Sequence, residues 1–251
     1  MTPASFGSPH RHYGQTDSTN TRARELAAAG APGGTVVTAA EQTAGRGRQG
    51  RTWTAPPGKA LLYSALVRPL EPRHMLLPLA VPLAVAEAAE QLAPSIEAGV
   101  KWPNDVLVGR RKLAGILIEA RPQDGWAVIG VGLNLTIAEN EFPQELRATA
   151  TSLAIELGGR HFNRIPVEMA TTQAQAAAGV LSERLGRWLE AGEAEVLAAW
   201  RQRDALRGRE VEWEGGSGVA DGIDDRGYLV VVTASGERVT VGAGEVHLTR
   251  F

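Results

Sequence analysis

Four short clusters in this chain carry side chains with chemistry to offer. Ser18-Thr19-Asn20 presents two hydroxyls and an amide, while Arg46, Arg48 and Arg51 stand among Gly45, Gly47 and Gly50 in the stretch EQTAGRGRQGRTW. Trp102-Pro103-Asn104-Asp105 places a carboxylate behind a turn, and Lys112 closes the run Arg110-Arg111-Lys112. Each cluster also has a plain reading. The first can cap a helix, the second can be a solvated loop, the third can be turn chemistry, and the fourth can be a wet hairpin tip. Read for function, guanidiniums among glycines suit bidentate clamping of carboxylate and phosphate. Strand alternation puts Lys112 on the face of Ala114, Ile116 and Ile118, an ammonium at the mouth of an apolar face. Together the clusters offer polar groups for a small neutral head and cations for a carboxylate and a phosphate. They offer no nucleophile. That is the equipment of phosphoryl or nucleotidyl transfer by positioning and electrostatics.

Other chemistries lack their residues. With no cysteine, disulfides, thiolate metal sites and cysteine nucleophiles are excluded. Ser217 in GGSGV lacks the second glycine of a nucleophile elbow, there is no H-E-x-x-H or Walker A loop, and His10 and His12 read as isolated residues of a tail. Gly45-Arg-Gly-Arg-Gln-Gly50 matches the dinucleotide fingerprint G-x-G-x-x-G in letters, with Glu71 about twenty residues on. The fingerprint, however, must open a helix. Here Arg-Thr-Trp-Thr-Ala-Pro-Pro-Gly follows, in which prolines and threonines oppose a helix. The motif is therefore expected as a long cationic loop between two strands, Thr35–Ala40 and Ala60–Val67.

The elements that would position these residues follow from periodicity and caps. Asp17-Ser-Thr-Asn20 begins a helix ending before Gly30. An amphipathic helix is expected from about Leu77 to Ala93, packed in the core and not spanning a membrane. Val100–Val108 and Lys112–Glu119 read as a hairpin turning at Gly109-Arg110-Arg111, and Trp126–Leu135 as a further strand. Residues 139–157 alternate charged with small residues. From Pro166, in a first helical turn, to Trp200, apolar residues recur at helical spacing. Beyond about Arg207 short strands broken by glycine pairs and Asp224-Asp-Arg-Gly227 suggest a small β-barrel-like satellite.

At 251 residues, with 43% hydrophobic and 22% charged residues and a formal net charge of −2, the chain is an ordinary globular composition. The charge argues against a surface built wholly to grip nucleic acid. The absent cysteines and the N-terminus MTPASFGSPHRHYGQ, which has no apolar signal region, fit a cytoplasmic protein without membrane association.

Six segments, in this order, resemble the biotin protein ligases: Ser18-Thr19-Asn20, QTAGRGRQGRTW from Gln42, KWPNDVLV from Lys101, RKLAGILIE from Arg111, VGLNL from Val131 and ATSL from Ala150. The resemblance implies an α/β (α+β) mixed-sheet catalytic domain over residues 1–204 and an SH3-like domain over 205–251. It implies that biotin and Mg-ATP give biotinyl-5′-AMP, and that the acyl group passes to one lysine of a biotin carboxyl carrier protein domain, of acetyl-CoA carboxylase or a related carboxylase. By motif position, Ser18, Thr19, Asn20 and Gln42 would meet the ureido head. Gly45, Arg46, Gly47 and Arg48 would belong to a loop closing over the adenylate, and Lys112 would meet the carboxylate and α-phosphate. Trp53 and Asn134 would lie at the nucleotide. Lys112, Arg48 and Asp105 are the catalytic candidates, with Asp105 organising metal or the incoming lysine. Mg²⁺ is implied, its ligands unassigned. Ser18 comes too early for the N-terminal DNA-binding domain of some relatives, so no DNA partner is expected; a homodimer stays open. Two rivals remain. A lipoate-protein ligase shares the adenylate chemistry, and a nucleic-acid-binding module would use the arginine loop and show salt-dependent affinity.

Overall fold

The computed structural model describes residues 6–158, 167–242 and 246–248, with backbone alone for 167–172 and 247–248. Along the chain run β1 (His10–Thr16), α1 (Thr19–Ala28), β2 (Val36–Gln42), β3 (Ala60–Val67), α2 (Leu77–Leu92), β4 (Ala98–Lys101), β5 (Asp105–Val108), β6 (Arg111–Arg121), β7 (Trp126–Asn134), α3 (Leu153–Glu156), α4 (Val167–Glu190) and α5 (Glu193–Gln202). A second group follows: β8 (Glu210–Trp213), β9 (Gly216–Ile223), β10 (Leu229–Val232), β11 (Arg238–Val241) and β12 (His247–Leu248). The first seven strands form one mixed sheet in the order β1-β2-β3-β7-β6-β5-β4, and the last five form an antiparallel sheet in the order β11-β10-β9-β8-β12. Only the pair β1–β2 is parallel; the other pairs of the large sheet run antiparallel.

Strand pleating divides the large sheet into two faces. On β3 and β7, Leu61, Tyr63, Ala65, Val67, Ala127, Ile129, Val131 and Leu133 enter the main core with Leu79, Leu83 and Val85 of α2. The alternate residues look the other way. Leu66, Trp126 and Val128 pack under Ala23 and Ala27 of α1, and Ala60 and Leu62 pack with Ile137, Phe142 and Ala150 of the segment after β7. Between these two coverings lie Ser64, Gly130 and Gly132. That uncovered strip is where the cavity forms.

Several expectations need correction. His10 and His12 stand on the edge strand β1, and both imidazoles hydrogen-bond Thr38 Oγ1, at 2.8 and 2.9 Å. An edge strand with mostly exposed side chains carries no apolar alternation, so nothing in its sequence announced it. The expected strand Val100–Val108 is two strands, β4 and β5, paired across Trp102-Pro103-Asn104. The helical run ending at Trp200 is broken at Gly192, whose backbone is extended, and so becomes α4 and α5; its expected start at Pro166 lies outside the described residues. Helix α2 is not amphipathic. The stretch Pro72–Leu92 is apolar and long enough to cross a membrane by length and composition, and α2 is buried nearly all round because α4 and α5 pack on it as well as the sheet. Its Glu87 and Glu90 emerge only to meet Arg187 and Arg203. The interior of the second sheet, through Val211, Ala220, Leu229 and Val231, joins this same core.

Candidate active site

The strip of sheet between α1 and the segment after β7 is floored by glycines because large side chains from elsewhere lie flat on it. A Cβ at Gly130 would fall 2.1 Å from Asn20 Oδ1, and one at Gly132 would fall 2.3 Å from Trp53 Cε2. At Gly115 it would fall 2.9 Å from Trp53 Cζ3 and 3.2 Å from Lys112 Nζ. In the register of β6 and β7, Leu117 faces Gly130 and Gly115 faces Gly132. Asn20 therefore sits two residues, roughly 7 Å, along the strands from Trp53 and Lys112.

The first end of the cavity is neutral and closely bonded. Ser18 occupies the N-cap position of α1, but its hydroxyl makes no capping bond, which removes the bland account of that cluster for Ser18. Thr19 donates to Gln42 Oε1 through both its N–H, at 2.7 Å, and its hydroxyl, at 3.0 Å. Buried Ser64 places its hydroxyl 2.6 Å from Asn20 Oδ1 and 2.8 Å from Thr19 Oγ1. Asn20 Nδ2 donates to Glu119 Oε2 at 2.8 Å. Thr19 and Asn20 are thus tied to β2, β3 and β6.

The second end is ionic. Lys112 Nζ stands 2.6 Å from Asp105 Oδ1 and 5.8 Å from the centre of the Trp53 ring. Its placement departs from simple alternation. Leu107 pairs with Lys112 but Val106 pairs with Ala114, so β6 bulges at Leu113. Leu113 and Ala114 both enter the core, and Lys112 turns to the cavity face with Gly115, opposite the face of Ala114 and Ile116. Lys112 also anchors the segment after β7 by its backbone, donating to Thr149 O and accepting from Thr151 N. Lys101, across the β4–β5 pair from Asp105, lines the same cavity. Burial lowers the pKa of its ammonium; Asp105 opposes this, and Lys112 and Arg51 add to it.

The glycine-arginine loop folds back on itself. Arg46 bridges Thr52, Gly47 N–H donates to Arg51 O, and a short 3₁₀ turn covers Arg48–Gly50. A Cβ at Gly45 would meet Trp53 O at 2.3 Å, so the loop's return closes too tightly for any side chain there. Arg46 reaches Glu119 at 3.1 Å, and Arg48 Nη1 lies 3.5 Å from Asn104 Oδ1. Burial lowers the pKa of the Arg48 guanidinium, with Asp105 opposing and Arg51 adding to the shift.

Ser18, Thr19, Asn20, Gln42, Arg46, Gly47, Arg48, Trp53, Asp105 and Lys112 line one cavity. Asn134 does not. Its amide donates to Thr151 O at 2.8 Å, so it holds the segment beside Lys112. Within KWPND, Asn104 is fastened to Ile116 through both its backbone and its amide, and Trp102 Nε1 donates to Gly227 O in the turn between β9 and β10; both residues also line the cavity. Sequence reasoning passed over Lys101, Ser64 and Glu119. Their shared signal was register, since each falls on the cavity side of its strand or pairs across from Asp105.

Comparison with known proteins agrees with this geometry. The sequence pattern of the Biotin/lipoate A/B protein ligase family matches residues 13–135, and that of the Biotin protein ligase C terminal domain matches residues 208–248. A biotin–[acetyl-CoA-carboxylase] ligase of Mycobacterium tuberculosis is 39% identical over 249 residues, covering 93% of this chain and 87% of its own. One from Paracoccus denitrificans is 33% identical, covering 92% and 97%. Among solved structures, the biotin protein ligase from Aquifex aeolicus in complex with biotin and ATP superposes with a TM-score of 0.77 at 29% identity, covering 97% of this chain and 100% of the other. With these relatives matched along nearly its whole length, and with their two sequence patterns falling on its two sheets, the chain belongs to the biotin protein ligase family.

Proposed function

We propose that this protein joins biotin to ATP, giving biotinyl-5′-adenylate and pyrophosphate, and then passes the biotinyl group to a lysine of a biotin carboxyl carrier domain. The observation that carries the reading is the division of one cavity into a neutral, hydrogen-bonding end at Ser18, Thr19, Asn20 and Gln42 and an ionic end at Arg48, Arg51, Lys101 and Lys112.

In the first half-reaction a carboxylate oxygen attacks the α-phosphorus and the bond to the β-phosphate breaks. Both partners are anionic, so the ionic end must suppress their repulsion and stabilise charge on the bridging oxygen. Lys112 is suited to the carboxylate and α-phosphate because the β6 bulge turns it onto the cavity face. Arg48 and Lys101 stand near enough to take phosphate oxygens. Exchange of their cramped, partly dehydrated cationic neighbourhood for an anion is favourable. Trp53, flat on Gly132, offers an aromatic face to the nucleotide. In the second half-reaction the amine nitrogen attacks the carbonyl carbon, AMP leaves, and the amine gives up a proton. Asp105, a carboxylate on the cavity wall, is assigned to orient the incoming ammonium or accept that proton. The glycine loop shields the adenylate from water.

A magnesium ion bound with ATP would supply charge neutralisation of the triphosphate. Asp105 is the carboxylate lining this cavity, and no group of three or more metal-ligating side chains occurs among the described residues. Asp105 would be the protein carboxylate available to a magnesium ion brought with ATP.

Transfer of labelled biotin to a carrier-domain lysine, with and without ATP, tests the reading. ATP-dependent labelling is expected. Pyrophosphate exchange supported by lipoate in place of biotin, or no exchange with either, would overturn it.

A further inference from the structure

We propose that Glu119 is the positioning residue of the head pocket: it fixes which way the Asn20 amide faces and ties Arg46, and with it the glycine loop, over the same pocket. The proposal rests on reading this cavity as a biotin site.

Glu119 lies on the same face of β6 as Leu117, two residues further along toward α1. Its side chain is 24% exposed. Three donors converge on it from three parts of the chain. Asn20 Nδ2 and Arg46 Nη2 reach Oε2 at 2.8 and 3.1 Å, and Arg24 Nη1 reaches Oε1 at 3.1 Å. A carboxylate accepts several such bonds at once and donates none. An amide is nearly symmetric in shape, so only its partners decide which end is oxygen. With the carboxylate and Leu117 O on one side, the nitrogen must face them; the opposite arrangement would press two acceptors together. Asn20 Oδ1 is thereby turned to the Ser64 hydroxyl at 2.6 Å, over Gly130. The donor and acceptor pattern of the pocket is set from behind.

The same oxygen holds Arg46. That guanidinium leaves the glycine loop and crosses to β6, so closure of the loop over the head and orientation of Asn20 depend on one carboxylate. Glu119 is not among the residues lining the cavity, and its influence passes through Asn20 and Arg46. Of the cations assigned to the phosphates, Lys112 pairs with Asp105, Arg48 reaches Asn104, and Lys101 feels Asp105, Lys112 and Arg51. Loss of the Glu119 charge should therefore weaken biotin recognition, which loses both the Asn20 orientation and the loop tie, more than ATP recognition, which loses only the tie.

The experiment is biotin-dependent pyrophosphate exchange with wild type, Glu119→Gln, Asn20→Ala and the double variant. Glutamine keeps the size but cannot satisfy three donors with one neutral oxygen. The expected result for Glu119→Gln is a rise of about tenfold or more in KM for biotin, a rise in KM for ATP several-fold smaller, and a double variant little worse than Asn20→Ala alone. An unchanged KM for biotin, an equal rise in both KM values, or fully additive losses would overturn the proposal. If Glu119→Gln does not fold, Arg46→Gln removes one of its partners and must show the same selective rise. Wild type that exchanges with no biotin dependence would instead overturn the biotin reading beneath it.

Discussion

Lys112 Nζ lies 2.6 Å from Asp105 Oδ1, and a one-residue bulge in β6 brings them together. Without the bulge Lys112 would share the core-facing side with Ala114 and Ile116. The pair holds a cation at the point where two anions must meet, with its counter-charge close by. Lys112→Met keeps most of the stem and deletes the ammonium. Adenylation should fall by roughly 10²-fold or more, as for loss of one electrostatic donor in a water-excluded site. Biotin-dependent pyrophosphate exchange measures it, and near-normal exchange would reduce Lys112 to a hairpin-tip residue.

Asp105→Asn separates the two half-reactions. If Asp105 receives the acceptor lysine, single-turnover transfer from preformed adenylate should slow more than adenylation does. Equal losses in both steps would assign it to the phosphates or to the first step's geometry.

Gly130 and Gly132 should be intolerant of even a methyl group. At Gly130→Ala the new carbon would sit 2.1 Å from Asn20 Oδ1, so Asn20 must leave its bonds. At Gly132→Ala it would sit 2.3 Å from the Trp53 ring. Lost hydrogen bonds of about 1–3 kcal/mol predict a weakening of biotin binding by about tenfold or more in the first variant. The second should act on the nucleotide. Calorimetric titration with biotin and with ATP would show the split.

The glycine loop is held through Arg46 and Glu119 and should be held further by ligand. Biotin with ATP is expected to slow trypsin cleavage after Arg46, Arg48 and Arg51. Protection of about 100-fold corresponds to about 2.7 kcal/mol of added bias toward closure. Arg48→Ala should remove the protection and leak adenylate. Unchanged cleavage under saturating ligand would dismiss the lid.

Gly227 has φ +81°, and a Cβ there would fall 2.8 Å from Leu79 Cδ1, while its carbonyl receives Trp102 Nε1 at 3.1 Å. Gly227→Ala should destabilise the fold by about 1–3 kcal/mol. It should also depress activity, although it lies in the turn between β9 and β10, outside the large sheet. Urea unfolding followed by tryptophan fluorescence tests the first part.

Partial desolvation of this largely exposed edge-strand side chain, with His12 adding a smaller effect, lowers the pKa of His10 below its ordinary 6.5. The unfolded chain therefore binds the proton first as pH falls. The stability linked to this group is fully present above about pH 6.5 and is lost as pH drops from there toward the folded-state value. Urea midpoints between pH 5 and 7 should decline more steeply in wild type than in His10→Gln. Parallel slopes would show that the edge-strand histidine does not titrate in this way.

The large elements were legible in the amino-acid order because their signals are local. Ala60–Val67 was expected as a strand and is one, and the glycine-arginine motif was expected between strands because its prolines and threonines bar the helix a dinucleotide site needs. The cationic and polar residues of the cavity were also legible, as side-chain types whose chemistry converges on an acid and a phosphate. Tertiary structure decided what depends on register and on distant neighbours. The bulge that turns Lys112 requires the pairing with β5, and the edge strand β1 has no pattern without β2 beside it. The bond by which Asn134 holds Thr151 likewise depends on a segment seventeen residues on. Ser64 and Glu119 looked like unremarkable strand residues and became the partners of Asn20 from 44 and 99 positions away. Periodicity reports which face a residue shares with its neighbours in sequence; it cannot report which strand will lie alongside, and the chemistry of this cavity is made by that choice.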